Sequence, residues 1–334
     1  MTTSPLRFGL IGAGRIGRVH AAGITADPDA VLAWTADPFV DGARDIAARY
    51  GGVATDSPAE LVASGEIDAV LVASPTPTHV DLIAASIDAG LPVLCEKPID
   101  LDITRVDALA AKVAVAGVPV AIGFNRRFDP SFAAARARVA AGEIGELEQL
   151  TIISRDPAAP PESYLAGSGG IFRDMTIHDF DMARFFASDI VEVSATGSTL
   201  FDDGARRHGD FDTAVTTLRT RGGALITIVN SRHSATGYDQ RIEAFGERGM
   251  LQVDNLHTDL VRSSTSTGAG TASPFEPFFL TRYALAYAAE LREFVKLARG
   301  QASTSPTFDD GRAALVLADA ADRSAREGRT ITVA

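Results

Sequence analysis

The sequence predicts an α/β protein: an N-terminal doubly wound parallel sheet, then a C-terminal α+β domain built on a large open, mostly antiparallel sheet. Three observations carry this expectation. The chain has 334 residues, 46% of them hydrophobic, and so exceeds the roughly 250–300 residues at which a single core stops growing. Up to about residue 125, short apolar runs alternate with alanine-rich amphipathic segments, the pattern of parallel strands joined by crossover helices. Beyond Phe124 the runs lengthen and alternate, as in Thr213-Ala214-Val215-Thr216-Thr217-Leu218 and Ala224-Leu225-Ile226-Thr227-Ile228-Val229. Few helical segments intervene there, which suits antiparallel pairing. The expected domains are 1–125 and 126–334.

In the first domain, strands are expected over 6–11, 31–36, 69–73, 92–95 and 119–124, with helices near 15–25, 40–50, 79–89 and 102–116. In the second, the Ser, Thr and Gly of residues 263–274 read as a surface loop, and helices near 279–299 and 309–326 close the chain. Alternation gives the second sheet two chemically different faces, one apolar enough to pack on helices or on another subunit. Oligomerisation is expected on that ground.

Composition excludes several classes of function. A net charge of −12 and a pI near 5.0, without a lysine or arginine block, repel nucleic acid and anionic membranes. Cys95 is the only cysteine, so an intrachain disulfide and a thiolate zinc cluster are both unavailable, as suits a reducing, cytoplasmic setting. The first strand begins at Leu6 with no charged segment and apolar stretch ahead of it, and no apolar run approaches the roughly 20 residues that span a bilayer. A protein that is neither exported nor membrane-bound is expected.

Directly after the first strand stands Gly12-Ala13-Gly14-Arg15-Ile16-Gly17, followed by a helix-compatible segment. This strand-turn-helix context makes the glycine pattern a dinucleotide fingerprint: Gly12 for the tight turn, Gly14 for backbone approach to a pyrophosphate, Gly17 for close helix–strand packing. The first domain is therefore expected to be a Rossmann domain. Asp37, twenty residues beyond Gly17, can accept hydrogen bonds from an adenosine ribose and would repel a 2′-phosphate, which favours NAD over NADP. Capping of the next helix is its alternative role, and Arg15 keeps NADP open. Ser74-Pro75-Thr76-Pro77-Thr78-His79 follows another strand at the carboxyl edge, where Ser74, Thr76 and His79 are candidate cofactor contacts. The alternative there is that Thr78 merely caps a helix.

Two further segments carry chemistry. Glu96-Lys97-Pro98 ends a strand at the same edge, beside the expected nicotinamide, where Glu96 and Lys97 are candidate cofactor contacts. A lysine there can stabilise the alkoxide that develops as an alcohol is oxidised, unless it is simply a surface residue. Asp174 and His178, four residues apart in Gly169-Gly170-Ile171-Phe172-Arg173-Asp174-Met175-Thr176-Ile177-His178, share one face if the segment is helical. His178 is then the general base and Asp174 its orienting carboxylate; a purely structural pair is the alternative. Ile177, Phe180 and Phe185 are expected to pack inward. No metal is needed, because a nicotinamide supplies the redox chemistry.

Taken together with Gly123-Phe124-Asn125-Arg126-Arg127-Phe128-Asp129, these motifs resemble, in order and spacing over essentially the whole chain, the glucose-fructose oxidoreductase and inositol dehydrogenase family. Ile153-Ser154-Arg155-Asp156-Pro157, the Ile171–Asp179 segment and Ser231-Arg232-His233-Ser234-Ala235-Thr236-Gly237-Tyr238-Asp239 are similar to its bacterial inositol 2-dehydrogenase branch. The resemblance implies a Rossmann domain followed by an open-sheet domain, a homotetramer joined through those sheets, and oxidation of myo-inositol to 2-keto-myo-inositol (scyllo-inosose) with NAD. It implies Lys97, Asp174 and His178 as the catalytic set. Arg127, Asp156 and Tyr238 become candidate polyol ligands, with a hinge anchor, a turn residue before Pro157 and sheet packing as their respective alternatives. At Ser154 and Asp156 the chain departs from the His and Asn of some inositol dehydrogenases, which leaves the stereoisomer open: scyllo-inositol, D-chiro-inositol and hexoses stand beside myo-inositol. A sugar-sensing regulator that binds nucleotide without turnover is the reading from another class.

Overall fold

The computed structural model describes residues 4–333. The chain begins with β1 (Leu6–Ile11), α1 (Arg15–Ala26), β2 (Ala30–Ala36), α2 (Val40–Tyr50), β3 (Val53–Thr55), α3 (Pro58–Ala63), β4 (Ala69–Val72), α4 (His79–Asp88), β5 (Val93–Glu96), α5 (Ile103–Val115) and β6 (Val120–Gly123). It continues with α6 (Pro130–Ala140), β7 (Leu147–Arg155), α7 (Glu162–Leu165), α8 (Ile177–Phe186), β8 (Ile190–Ser198), α9 (Asp203–Arg207), β9 (Thr213–Thr220), β10 (Leu225–Ser231), β11 (Asp239–Gly246) and β12 (Gly249–Val253). β13 (Arg262–Thr265), β14 (Gly268–Ala272), α10 (Phe279–Arg282), α11 (Ala284–Ala298), α12 (Phe308–Glu327) and β15 (Ile331–Thr332) complete it.

Two compact units result: the chain through Phe128 together with Leu285–Ala313, and Asp129–Ala284 together with the chain from Ala314 onward. Residues 285–313 return to the first unit after the chain has built most of the second. The reason for that return is apolar. Leu291, Phe294 and Val295 of α11 enter the core formed by Phe8, Leu10, Leu32, Leu71 and Leu94. The rings of Phe294 and Phe8 lie 5.9 Å apart at 49°. Behind α11 the Ile122 amide donates to the Pro306 carbonyl at 2.9 Å, so the returning segment also covers β6.

The first unit holds a six-stranded, all-parallel sheet in the order β3-β2-β1-β4-β5-β6. β4 and β6 are buried along their whole length, as strands covered by helices on both faces must be. The order reverses at β1, whose neighbours are β2 and β4, and that switch point opens a crevice at the carboxyl ends of the strands. β3 and α3 were not anticipated. Three residues of strand are too few to show a period, and α3 depends on its cap: Ser57 Oγ accepts the Glu60 amide, with Pro58 in the first turn.

The second unit is built on a seven-stranded sheet, β12-β11-β7-β10-β9-β8-β15. All its pairs are antiparallel except β7 with β10. Strict alternation along β9 and β10 buries Ala214, Thr216, Leu218, Ile226, Ile228 and Asn230 on one face. Two expectations are corrected here. Residues 263–274 are not a plain loop but largely the exposed hairpin β13–β14, whose backbone pairing needs no apolar side chains. The helix expected over 279–299 is broken at Tyr283 into α10 and α11.

Phe294→Ala is expected to destabilise the protein by about 3–5 kcal/mol, the cost of a phenyl-sized core cavity. Urea unfolding measures it, and an unchanged midpoint would remove α11 from the core of the first unit.

Candidate functional site: a nucleotide edge and an Asp–Arg–Tyr network

In the first unit the glycine-rich turn is fixed by its own sterics. Gly12 has φ +107°, and a Cβ there would lie 2.5 Å from the Ala73 carbonyl oxygen; one at Gly17 would lie 1.9 Å from the Gly12 oxygen. Both positions therefore require glycine to bring β1, α1 and the end of β4 together. At Gly14 an added Cβ meets nothing within 4 Å, so the protein itself does not demand glycine there and the backbone stands open to close approach. α1 starts at Arg15 with no side-chain cap and no acidic residue in its first turn, leaving its N-terminal amides suited to a phosphate.

Asp37 joins this turn at the end of β2. Its Oδ2 accepts the Ala13 amide at 2.7 Å and its Oδ1 the Phe39 amide at 2.8 Å, so the carboxylate sits on the rim of the fingerprint. In the loop after β4, Ser74 Oγ and Thr78 Oγ1 are 2.6 Å apart, and Thr78 also donates to the Pro75 carbonyl. Thr78 stands at the start of α4 without capping it.

Two side chains expected at the cofactor are committed inside the unit instead. His79 is buried, with Nδ1 2.8 Å from the Pro98 carbonyl and Nε2 2.8 Å from that of Ser74, and so clamps two strand-end loops together. Glu96 turns its Oε1 onto His20 Nε2 at 2.7 Å. Lys97 follows at the carboxyl end of β5, joined to Pro98 by a cis peptide bond. Cys95 is buried, and burial, then the Glu96 charge, pushes its thiol well above the ordinary range. Arg127, a candidate polyol ligand, ion-pairs with Asp310 at 3.1 Å. Burial alone would raise the Asp310 carboxyl, but Arg127 and Thr307 hold it below its ordinary value.

In the second unit Asp174 does not lie on a regular α-helix. Phe172–Thr176 form a π-helical turn and α8 begins at Ile177, so the spacing from Asp174 to His178 spans the wider turn that often marks functional sites. The Tyr164 hydroxyl donates to Asp174 Oδ1 at 2.7 Å, and the Arg232 guanidinium reaches Oδ2 at 3.1 Å. Arg232, only 1% exposed, also meets Asp210 at 3.5 Å. Asp210 in turn accepts the Ile171 amide at 2.9 Å. Burial, followed by the charge and hydrogen bond of Asp174 and by the charge of Asp156, pushes the Tyr164 phenol above its ordinary range against the pull of Arg232. Tyr164 therefore stays protonated and donates.

The same turn is fastened beneath by Thr176, whose hydroxyl donates to Asn230 Oδ1 at 2.9 Å, while Asn230 Nδ2 donates to Asp179 Oδ2 at 2.7 Å. Ile177 and Phe180 are fully buried as expected, and Phe185 lies under Arg136. Asp156 continues the β7–β10 pairing through its amide, which donates to the Ser231 carbonyl at 2.9 Å. Tyr238 is buried and packs edge-on against Tyr283 at 6.0 Å.

The second unit thus brings Asp174, with the electrostatic influence of Asp156, to Tyr164 and Arg232, neither of which was singled out in the sequence. Arg232 left a signal: Ile226, Ile228 and Asn230 set a buried parity that Arg232 continues, and a buried guanidinium requires anions. Among the described residues no group of His, Cys, Asp and Glu could hold a metal ion, and no helix is long and apolar enough to cross a membrane.

Comparison with known proteins agrees with both halves. Residues 6–124 match the oxidoreductase family described as an NAD-binding Rossmann fold, and residues 132–252 match the GFO/IDH/MocA C-terminal domain. An inositol 2-dehydrogenase of Rhizobium meliloti is 46% identical over 98% of this chain and 99% of its own. The crystal structure of a myo-inositol dehydrogenase from Corynebacterium glutamicum superposes with a TM-score of 0.96 at 54% identity, covering 99% of each chain. That of a scyllo-inositol dehydrogenase from Lactobacillus casei with bound NAD(H) and scyllo-inositol gives 0.91 at 28% identity, covering 98% of this chain and 99% of its own. With both halves matched and the likeness running end to end, this chain belongs to the GFO/IDH/MocA family of NAD-binding oxidoreductases.

Proposed function

We propose that this enzyme oxidises one ring hydroxyl of myo-inositol to give 2-keto-myo-inositol, with NAD as the acceptor. The observation that carries the reading is Asp174, fixed on both oxygens by Tyr164 and Arg232 on the turn that leads into His178, in a chain 46% identical throughout to a protein named inositol 2-dehydrogenase. The turn at Gly12–Gly17, the open side of Gly14 and the uncapped start of α1 fit a dinucleotide. The bound nicotinamide supplies the two-electron acceptor for hydride.

The protein then has to manage a proton and a charge. Alcohol oxidation transfers hydride from carbon and releases the hydroxyl proton; His178 takes that proton, and Asp174 favours the resulting imidazolium. Lys97 stabilises the alkoxide that develops on the same oxygen. Arg127, Asp156 and Tyr238 are assigned to the other polyol hydroxyls, and Asp37 to the adenosine ribose. Ser74 and Thr76 remain assigned to the cofactor through their loop, as do the backbones of His79 and Glu96.

The same set serves any secondary ring alcohol, so scyllo-inositol, D-chiro-inositol and hexoses are the competing substrates. A relative of Bacillus subtilis named scyllo-inositol 2-dehydrogenase is 34% identical over 98% of this chain. A non-catalytic sensor is disfavoured because Lys97, Asp174 and His178 are all present. A cytoplasmic homotetramer is part of the proposal. The outward face of the large sheet exposes Val215, Leu225, Phe245 and Met250 by 40–47%, an apolar surface that suits the same face of another copy.

NADH formation followed at 340 nm is expected to be strongest with myo-inositol and NAD, and Lys97→Ala should lower kcat by about 10²–10³ with NAD binding intact. Greater efficiency on a hexose would displace myo-inositol, and unchanged turnover would remove Lys97 from the chemistry. Asp37→Ala combined with Pro38→Arg should shift the NAD/NADP preference toward NADP; an unchanged ratio would mean that Asp37 does not face the ribose. Arg232→Met leaves two carboxylates around one vacated site and should cost about 3–5 kcal/mol and lower kcat, with Arg232→Lys intermediate. Wild-type unfolding and turnover in Arg232→Met would refute its role in holding Asp174.

A further inference from the structure

The first unit buries a further set of ionisable groups around Glu96, the residue that precedes Lys97. Glu290, on α11, is 1% exposed, and neither of its carboxyl oxygens has a hydrogen-bond partner among the described residues. One turn earlier on the same helix, Tyr287 meets the His20 ring edge-on, with centroids 5.7 Å apart at 88°. His20, on α1 and 3% exposed, is the residue whose Nε2 lies 2.7 Å from Glu96 Oε1. The other Glu96 oxygen closes on β6, since a Cβ at Gly123 would stand 3.1 Å from it. Helix α1 and the ends of β5 and β6 therefore meet at the Glu96 carboxylate, a single residue before Lys97, and α11 packs on the His20 ring that holds it. The titratable groups of this cluster are Glu96 and Cys95 on β5, His20 on α1, and Tyr287 and Glu290 on α11.

We propose that Glu290 is a positioning residue for the Glu96–Lys97–Pro98 turn, acting through Glu96 and the His20 ring that packs against the same helix. The inference rests on the role proposed above for Lys97. Burial, and after it the charge of Glu96, pushes the Glu290 carboxyl well above its ordinary range, so the neutral acid is the form that the folded site favours beside Glu96. In that state two carboxyl groups share one low-dielectric site without mutual repulsion. Loss of the proton puts two anions in the same site, and Glu96, joined to Lys97 by one peptide bond, is displaced from His20 and takes Lys97 with it. Stability follows the same proton. The folded pKa is raised, so folding takes up a proton between the ordinary carboxyl value and the folded one. The contribution of Glu290 is greatest below that window and is lost as pH rises through it.

The test compares the full-length protein with Glu290→Gln, which is neutral at every pH, and Glu290→Ala, which lacks the polar group. Glu290→Gln should keep wild-type kcat at neutral pH and flatten the alkaline fall in kcat, whereas Glu290→Ala should lose about 10-fold or more in kcat with little change in KM. Independently of turnover, the rate of Lys97 acylation, read by peptide mass spectrometry, should match wild type in Glu290→Gln at neutral pH, differ in Glu290→Ala, and diverge between wild type and Glu290→Gln as pH rises. The thermal midpoint of wild type should fall relative to Glu290→Gln over the same range. Equal acylation rates in all three proteins would overturn the positioning role, and parallel midpoints would overturn the buried proton. Absence of dehydrogenase activity would count against the proposed function, while acylation and melting would still decide this inference.

Discussion

A guanidinium removed from water needs anions around it, and the second unit is organised by that requirement at Arg232. The side chain is 1% exposed and meets Asp174 and Asp210; without them its burial would cost several kcal/mol. Asp210 can sit where it does because Gly170, at φ +85°, carries no Cβ: one built there would lie 2.9 Å from Asp210 Oδ1. The Ile171 amide completes Asp210, and the chain then enters the π turn that carries Asp174. A single buried charge thus accounts for the glycine at 170 and for the orientation of the carboxylate assigned to chemistry.

The first unit reaches its site by a different route. Steric exclusion at Gly12 and Gly17 fixes the turn, and parallel pairing brings the ends of β1, β2, β4 and β5 to one edge. Backbone sets this geometry and side chains decorate it, which is why so much of it could be read in advance. Glycine spacing, strand-sized apolar runs and Asp37 are local features of a linear string. His79 and Glu96 are expected at the cofactor by their place at the edge, but place along the chain does not say which way a side chain turns: His79 opens α4 and Glu96 ends β5, and each is bonded inside the unit. The second link in each case, Pro98 for His79 and His20 for Glu96, comes from a distant part of the chain.

The same distinction explains what the sequence left unread in the fold. β3 is three residues long, too short for a period. The return of α11 to the first core depends on Phe294 meeting Phe8 across nearly the whole chain, and hydrophobic periodicity names a buried face without naming what covers it. The hairpin at 262–272 carries no apolar alternation because it has no core to face. Arg232 is the instructive case, because parity along β10 placed it inward and its charge then demanded partners. The position was legible; the identity of Asp174 and Asp210 was not.

That argument bears on how substrate choice is distributed. The departures from some inositol dehydrogenases fall at Ser154 and Asp156, and the structure separates them. Ser154 is fully buried in β7; its hydroxyl lies within 3.2 Å of both polar atoms of the Gln240 amide, and its carbonyl accepts Asn230 Nδ2. Its carbonyl joins the polar layer that fastens Asn230 to Asp179 and Thr176, while its hydroxyl engages the Gln240 amide, which also accepts the Tyr283 hydroxyl. Asp156 lies just beyond the end of β7, where its charge reaches the Tyr164 hydroxyl. A change of side chain at Ser154 therefore acts first on the Gln240 amide and the Tyr283 hydroxyl, and a change at Asp156 acts on the Tyr164 hydroxyl that donates to Asp174.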